Sequence, residues 1–402
     1  MIHTLTRLLF ITIFCYFTLS VLYLFVLSVW GRLFAKRKPS QKTDTGPDKR
    51  IAILVPAYRE DEIILSTANN LLELDYPRDL FDIYIIADSF HPATLSQLRT
   101  LPVQVLEVSF DNSTKAKSLN EAFRRIGRRY DIALISDSDN LLAPDFLQKV
   151  NTAFLRGDRA VQGRRVAKNL DTSFAILDAC SEAINNHIFR KGTNALGLSS
   201  AICGSGMAFE YDIVKRILEE IDAVGGFDKV LQLKLLKQGV FIRYLDNALV
   251  YDEKVDSPDA FSRQRKRWLS SQSIYARKFF FPAFHELFKG NFSFFNLAIA
   301  NYCLLPRSFL LLCLPLLALV SFALSNAWGI ASMIVWVVYG LSLYIALPRV
   351  LINAELLRAV TNLPKAIGLM LAATFQAKKT NNAFIHTHHT RKGITNQEKS
   401  RI

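Results

Sequence analysis

The pattern of apolar and polar positions divides the chain into membrane-type ends and a middle in which strand and helix signals alternate. Leu8 to Trp30 is an uncharged apolar run of 23 residues, which as a helix spans roughly 35 Å and is long enough for a bilayer core. Ser308 to Leu324 and Trp328 to Leu347 are two more such runs, flanked by Arg307 and Arg349, and predict a transmembrane hairpin with both ends on one face. Ile367 to Phe375 is too short to cross and is expected at the interface. Between these ends, short β-rich runs recur at Ile51 to Val55, Ile83 to Ile86, Val103 to Val108 and Ile132 to Ile135. Glu62 to Leu74 has helical periodicity, and Lys115 to Arg129 reads as a basic amphipathic helix. Alternation of this kind predicts an α/β domain with a doubly wound, mostly parallel sheet.

The expected organisation is an N-terminal membrane helix (1–31), a basic linker (32–50) and a soluble domain (51–274). Interfacial helices with the hairpin (275–378) and a basic tail (379–402) follow. Arg32, Lys36, Arg37, Lys38 and Lys42 follow the first helix, whereas only Arg7 and the amino terminus precede it. The positive-inside rule then places the soluble domain in the cytoplasm, the bacterial inner membrane being the expected setting. A cleaved signal peptide is the other reading, but its apolar region is usually about 7–15 residues, and no small-residue cleavage site precedes Trp30.

An apolar content of 50% agrees with a membrane protein carrying a soluble part, and the net charge of +14 calls for an anionic partner. Lys and Arg cluster beside the apolar segments and in Arg263 to Arg267, without the aromatic interleaving of a single-strand-binding groove, so nucleic acid is not expected. Membrane surface plus a diphosphate accounts for the charge better. Cys15, Cys303 and Cys313 lie in or beside apolar runs and Cys180 and Cys203 are isolated, a pattern of neither disulfides nor zinc.

A dinucleotide-binding domain needs a glycine-rich turn after its first strand, yet no glycine occurs between Gly46 and Gly127. That turn reads instead Pro56-Ala57-Tyr58-Arg59-Glu60, with an aromatic face and charge at the sheet's carboxyl edge. Asp137-Ser138-Asp139 follows the fourth strand and emerges at the same edge, where hard oxygen ligands suit Mg2+ or Mn2+. Such a string elsewhere is commonly a solvated turn. Gln264, Arg267 and Trp268 share one helical face, while Arg263, Arg265 and Lys266 spread around the others. Arg can clamp phosphate oxygens and Trp can wall an acceptor sugar, although both also anchor interfacial helices. Tyr275 to Phe295, rich in Phe, is expected to lie in the headgroup layer.

In their order these motifs resemble the membrane-integrated inverting glycosyltransferases of family 2, which include cellulose, hyaluronan and ceramide-glucosyl synthases. The resemblance runs from Ile51 to about Trp268 and implies a GT-A fold, a nucleotide-binding half followed by an acceptor half. It assigns Pro56, Ala57, Tyr58 and Glu60 to the nucleotide side, Asp88 to the base or ribose, and Lys115 in KAKSLN to the uracil or diphosphate. Asp137 and Asp139 become the metal-binding pair, with Asp137 also facing the donor. Gly204, Ser205 and Gly206 match the acceptor-side turn, and Gln264, Arg267 and Trp268 fit the Q-x-x-R-W pattern in full. Gly225-Gly226-Phe227-Asp228 falls where the family carries Thr-Glu-Asp, so Asp228 aligns with the general base while Phe227 replaces the Glu. An N-cap Asp is the structural alternative there, with Glu253 or Asp222 as substitute bases. Phe384 to His389 weakly resembles a gating loop, FxVTxK, with His386 and His389 replacing Val and Lys.

The implied activity is transfer of a sugar from a nucleoside diphosphate sugar, UDP foremost, to a lipid-linked or saccharide acceptor, within a biosynthetic complex in one variant. A processive polysaccharide synthase and a non-catalytic subunit of an export complex are the alternatives.

Overall fold

The first apolar run forms one uninterrupted helix, α1 (Ile2–Leu33), because nothing in it breaks helical geometry and no charge interrupts it. The computed structural model describes residues 2–34, 46–221, 225–300 and 303–376, together with Arg391 and Gly393. The soluble part then alternates β1 (Ile51–Tyr58), α2 (Ile64–Leu72), β2 (Phe81–Asp88), α3 (Pro92–Leu98), β3 (Gln104–Val108), α4 (Lys115–Arg125) and β4 (Ile132–Ile135). Next come β5 (Leu141–Leu142), α5 (Phe146–Leu155), β6 (Ala160–Ala167) and α6 (Ser173–Asn185), which runs on into a π-helical segment, Asn186–Gly192. β7 (Met207–Glu210), α7 (Tyr211–Glu219), α8 (Phe227–Lys237), β8 (Ile242–Asp252) and α9 (Pro258–Phe288) complete it. α10 (Arg307–Leu324), α11 (Asn326–Ala346), α12 (Ala354–Val360) and α13 (Leu363–Gln376) follow.

One eight-stranded sheet has the order β3-β2-β1-β4-β7-β6-β8-β5. Its first four strands are parallel, each reached through a helix, and β6 pairs parallel with β8. β7 returns antiparallel between β4 and β6, so the donor-type half is doubly wound as expected and the second half is mixed. Ile51 to Val55 is almost wholly buried on both faces, as a central parallel strand requires. Pro56, Ala57 and Tyr58, read from sequence as a turn, are the last residues of β1, in register with Ile86, Ala87 and Asp88. β1 pairs with β4 only as far as Leu54, so Pro56, which has no N–H to give, lies beyond that ladder.

Two apolar layers cover the sheet. Ala68 and Leu71 of α2 and Leu147 and Val150 of α5 pack on one face. Leu119 and Phe123 of α4, Ile217 of α7 and Leu231 of α8 pack on the other, joined by Tyr275, Phe279 and Ala283 of α9. The segment expected at the headgroup layer is therefore docked on the domain along one edge and exposes Phe280, Phe281, Phe284 and Phe288 along the other. α9 is capped by Ser257, which accepts from the Ala260 N–H at 3.4 Å with Pro258 in the first turn, and runs unbroken past residue 274.

α1, α10 and α11 are long and apolar enough to cross a membrane, and the bent pair α12 and α13, at 51°, would add a fourth span if counted as one. Phe17, Val21, Leu24 and Leu27 of α1 pack with Leu310, Leu314 and Tyr339 of the hairpin and with Ile184 and Ile188 beneath it. At this junction a Cβ on Gly192 would lie 2.3 Å from the Leu27 carbonyl oxygen. Gly192→Ala is thus expected to push α1 off the soluble domain and cost about 1–3 kcal/mol. A thermal midpoint of the detergent-purified protein equal to wild type would show that this close approach is dispensable.

Candidate active site

β1 and β2 deliver the first side chains to the carboxyl edge of the sheet. Just past them Arg59 and Ser89 have φ of 54° and 58°, left-handed values for residues other than glycine, and the Arg59 N–H bonds the Asp88 carbonyl at 3.1 Å. Backbone held in this region marks a constrained edge. Arg59 belongs to the turn singled out in the sequence, whereas Ser89 carried no signal there. Asp88 is fully buried; Ser89 Oγ donates to its Oδ1 at 2.9 Å, whereas Oδ2 has no hydrogen-bond partner. A buried acceptor left in that state is suited to a donor from a base or ribose. Glu60 is buried at the start of the next turn, where its carbonyl accepts from the N–H of Ile64 at 3.1 Å.

α4 starts at the same edge, capped by Thr114, whose side chain accepts from the Lys117 N–H at 3.2 Å. Its first residue, Lys115, points across the cleft, where its ammonium pairs with the Asp137 carboxylate and donates to the Gly204 carbonyl at 2.6 Å. It also lies 5.4 Å from the centre of the Phe227 ring. One lysine thus joins the carboxylate turn after β4 to the glycine turn before β7. A second joint runs through Ser205. The Asp137 N–H donates to Ser205 Oγ at 2.9 Å, Ser205 in turn donates to Asn140 Oδ1, and Asn140 Nδ2 donates to Asp252 Oδ1 at 3.0 Å.

The glycine turn has the backbone its residues permit. Gly204 and Gly206 have φ of +87° and +61°, and a Cβ on Gly206 would meet Val250 Cγ2 at 2.3 Å, whereas one on Gly204 would meet nothing. Gly206 is a packing requirement and Gly204 faces open space. Gln162, fully buried on β6, locks the turn by accepting from the Cys203 N–H and donating to the Ser205 carbonyl, both at 2.9 Å.

Asp139 is buried, and its carbonyl accepts from Lys168 Nζ at 3.1 Å. Burial pushes the Lys168 ammonium below its ordinary range, although Asp139, Glu253 and Asp252 all draw it upward. No group of three His, Cys, Asp or Glu side chains suited to a metal occurs among the described residues. Asp137 and Asp139 nevertheless form a hard-oxygen pair, and such a pair suits a divalent ion that takes its remaining ligands from water and diphosphate oxygens.

Asp228 does not cap its helix. Gly226, at φ 65° in the left-handed region, is the N-cap, and Asp228 sits in the first turn with its side chain mostly buried. Phe227, in the position of the family's Glu, is buried in the core layer that holds α4, α7 and α8. Lys229 Nζ is 3.7 Å from the Asp228 carboxylate, and Tyr275 OH fixes the preceding loop through the Gly225 carbonyl at 2.5 Å. Glu253 accepts from the backbone N–H of Arg391 at 3.2 Å. Asp222 and the loop from Phe384 to His389 lie outside the described residues.

On α9, Gln264 is half-buried with Oε1 unpartnered, and Trp268 is the more exposed. The Arg267 side chain lies outside the described residues. Arg265, which spacing alone placed off the active face, is buried, pairs with Asp178 at 2.5 Å, and stacks 4.5 Å from the Trp268 ring.

Behind the turns lies a buried ionic base. Asp252 pairs with Arg165 at 2.6 Å and Lys254 at 2.7 Å, and Glu182 pairs with Arg190 at 3.0 Å. Burial alone would raise both carboxyls, but Arg165 and Lys254 hold Asp252 well below the carboxylate range. Arg190, Arg165 and Lys254 likewise bring Glu182 to about 2.

The profile described as glycosyltransferase like family 2 matches residues 47–271, more than half of the chain. A β-monoglucosyldiacylglycerol synthase of Trichormus variabilis is 28% identical over 252 residues, 59% of this chain and 52% of that protein. A probable glycosyltransferase of Bacillus subtilis, YdaM, is 20% identical and covers 82% of this chain and 80% of its own. An N-acetylglucosaminyltransferase of Rhizobium meliloti is 24% identical over 58% of each. The chain spans about half the length of the first of these relatives. Among solved structures, a mannosyltransferase from Pyrobaculum calidifontis, in complex with GDP-Man and Mn2+, superposes with a TM-score of 0.55 at 19% identity. It covers 92% of this chain and 97% of its own, so the GT-A fold is shared through the apolar helices as well as the sheet. With the ordered turns, the sheet and the matched profile in agreement, the chain belongs to the glycosyltransferase-like family 2.

Proposed function

We propose that the chain is a membrane-bound inverting glycosyltransferase that moves a hexose or N-acetylhexosamine from a nucleoside diphosphate sugar, UDP foremost, to a lipid-linked or saccharide acceptor. The observation that carries this reading is the pair of joints between carboxylate turn and glycine turn, Lys115 to Asp137 and Gly204, and Ser205 to Asp137 and Asn140. They tie the two turns together, which supports reading one as the donor edge and the other as the acceptor edge. The relatives' names, one for a glucosylated diacylglycerol and another for N-acetylglucosamine transfer, agree with lipid or sugar acceptors. In this reading the site faces the cytoplasm of a bacterial inner membrane, and the basic residues that follow α1 support that orientation through the positive-inside rule.

In this reading Asp228 takes the proton of the accepting hydroxyl as its oxygen attacks the anomeric carbon. A single displacement from that side inverts the centre. Tyr58, at the end of β1, and Asp88 hold the nucleoside, and Lys115 meets negative charge on the donor. Asp139, with Asp137, would hold Mg2+ or Mn2+, which when bound neutralises charge developing on the departing diphosphate. Arg267 is assigned to the leaving group, and Gln264 and Trp268 to the acceptor, by their places in the motif. Addition of one sugar, or extension without export, is favoured over processive synthesis, since three long apolar helices among the described residues offer little wall for a polymer channel. Product chain length separates the two.

Asp139→Ala is expected to weaken Mn2+-dependent UDP binding by about a hundredfold, equivalent to about 2.8 kcal/mol of lost metal coordination. Binding measured on purified protein that stays equally metal-dependent in this variant would sink the metal assignment. Phe227 in the Glu position favours a second reading, a non-catalytic subunit of an export complex. A screen of UDP- and GDP-sugars that finds metal-dependent binding but no turnover would select it.

A further inference from the structure

α6 collects arginines from three different elements. Arg265, inside the cationic motif of α9, pairs with Asp178 at 2.5 Å. Arg190, from the π-helical segment, pairs with Glu182 at 3.0 Å. Arg307, the first residue of α10, donates to Ser181 Oγ at 2.8 Å and to its carbonyl at 3.1 Å. Positions 178, 181 and 182 are neighbours on one helical face, so a cytosolic motif and the start of a membrane-spanning helix converge on one ridge.

Neither charge nor hydrogen bonding closes there among the described residues. Arg165, Arg190, Lys254, Arg265 and Arg307 gather around Asp178, Glu182 and Asp252, five cations to three carboxylates. Arg265 and Arg190, each more than nine-tenths buried, leave Nε without a partner, and Arg307 leaves Nη1. Buried guanidinium N–H groups in this state call for an acceptor that carries negative charge.

We infer that the ridge binds the phosphate of a lipid headgroup, so that the acceptor of the proposed transfer is an anionic lipid and not a neutral diacylglycerol. Planar guanidinium forks match phosphate oxygens. The ridge stands at the entry to the membrane, since α10 rises from Arg307 into Leu310 and Leu314 of the membrane core and exposes Leu312, Leu316 and Leu319 where acyl chains would lie. It also reaches the acceptor turn, because Arg165 Nη1 donates to the Cys203 carbonyl at 3.1 Å. This inference rests on the transferase reading and specifies its acceptor.

The test uses the full chain in phosphatidylcholine nanodiscs doped with either phosphatidic acid or diacylglycerol. Retained lipid is counted by native mass spectrometry, and Mn2+-dependent UDP binding is measured on the same preparations. Wild type is expected to enrich phosphatidic acid at least about tenfold over diacylglycerol, as one or more charge-assisted bonds imply. Arg307→Gln should lose that enrichment, Arg307→Lys should keep part of it, and millimolar inorganic phosphate should not compete. Arg265→Gln serves the same purpose should Arg307→Gln not be recovered folded. Equal retention of the two lipids by wild type, or undiminished enrichment in the glutamine variants, overturns the lipid-phosphate assignment while UDP binding stands. Displacement by inorganic phosphate overturns it too, in favour of a free anion. Absence of UDP binding in wild type would instead overturn the transferase reading beneath it.

Discussion

Asp228→Asn is expected to lower kcat by about 10²–10⁴-fold, the range that removal of a positioned general base commonly costs, while Mn2+-dependent UDP binding persists. Asparagine keeps the size of the side chain and its place in the first turn of α8 but cannot take a proton. A helix-capping Asp would answer differently, with lost stability and preserved chemistry, because its role is to satisfy free amides. That alternative is weakened by Gly226, which occupies the cap with φ 65° and leaves Asp228 two positions further in. Among the described residues no backbone N–H donates to the Asp228 carboxylate, and Lys229 at 3.7 Å is too far for a tight pair. Initial rates with saturating donor, set beside the thermal midpoint of each protein, decide the matter. Wild-type turnover in Asp228→Asn would transfer the role to another carboxylate, Glu253 first.

Phe227 is one of the places where the chain departs from the family's pattern, and its burial gives the departure a physical content. A glutamate there would have to be buried among α4, α7 and α8. The ring instead supports the Lys115 ammonium at 5.4 Å, which holds Asp137 and the Gly204 carbonyl together. On the proposed reading Phe227 would act on the donor side through Lys115, and its presence would not by itself disarm Asp228.

What could be read from the sequence followed locality. β4 begins and ends where its apolar run does, and the hairpin helices fall within a residue or two of their apolar stretches, because burial on all sides leaves a continuous signal. Asp137, Asp139 and Gly204 to Gly206 were visible as motifs, and the sheet brings them together as the strand order requires. Pro56 to Tyr58 misled because proline reads as a breaker, whereas here it sits past the end of the β4 ladder. Arg265 was left among the faces outside the motif, and its burial was not foreseen because its partner, Asp178, lies 87 residues earlier and leaves no local trace. Asn140, Gln162, Arg165, Lys168 and Asp252 went unnoticed for the same reason. The one available hint was the pair Arg164-Arg165 inside a strand that begins and ends on Ala and Val, where a buried charge implies a distant carboxylate.

Asp252→Ala is expected to destabilise the protein by about 3–5 kcal/mol, the cost of leaving buried cations without their anion. Arg165 and Lys254 both pair with Asp252, and neither has an exposed position to retreat to, Lys254 being fully buried. The damage should not stop at stability. Asn140 loses the acceptor of its Nδ2, and through Ser205 it supports the Asp137 N–H, so donor binding should weaken in the same variant. Asp252→Asn, which keeps an oxygen for Asn140 but no charge, is expected to fall between the two. The acid response provides an independent check. A carboxyl whose folded pKa is depressed contributes stability that is complete above its unfolded pKa of about 4 and lost as pH falls through its folded value. Asp252 and Glu182 are both of this kind, so wild-type stability should hold from neutral pH to about pH 5 and fall steeply below about pH 4. Asp252→Ala, having lost one of the two contributions, should start lower and fall less over that acid range. Denaturant unfolding of the detergent-purified chain at neutral and acid pH measures both effects. A variant within about 1 kcal/mol of wild type, close to the average for an arbitrary substitution, with an unchanged acid slope would mean that the ionic base does not hold the two turns together.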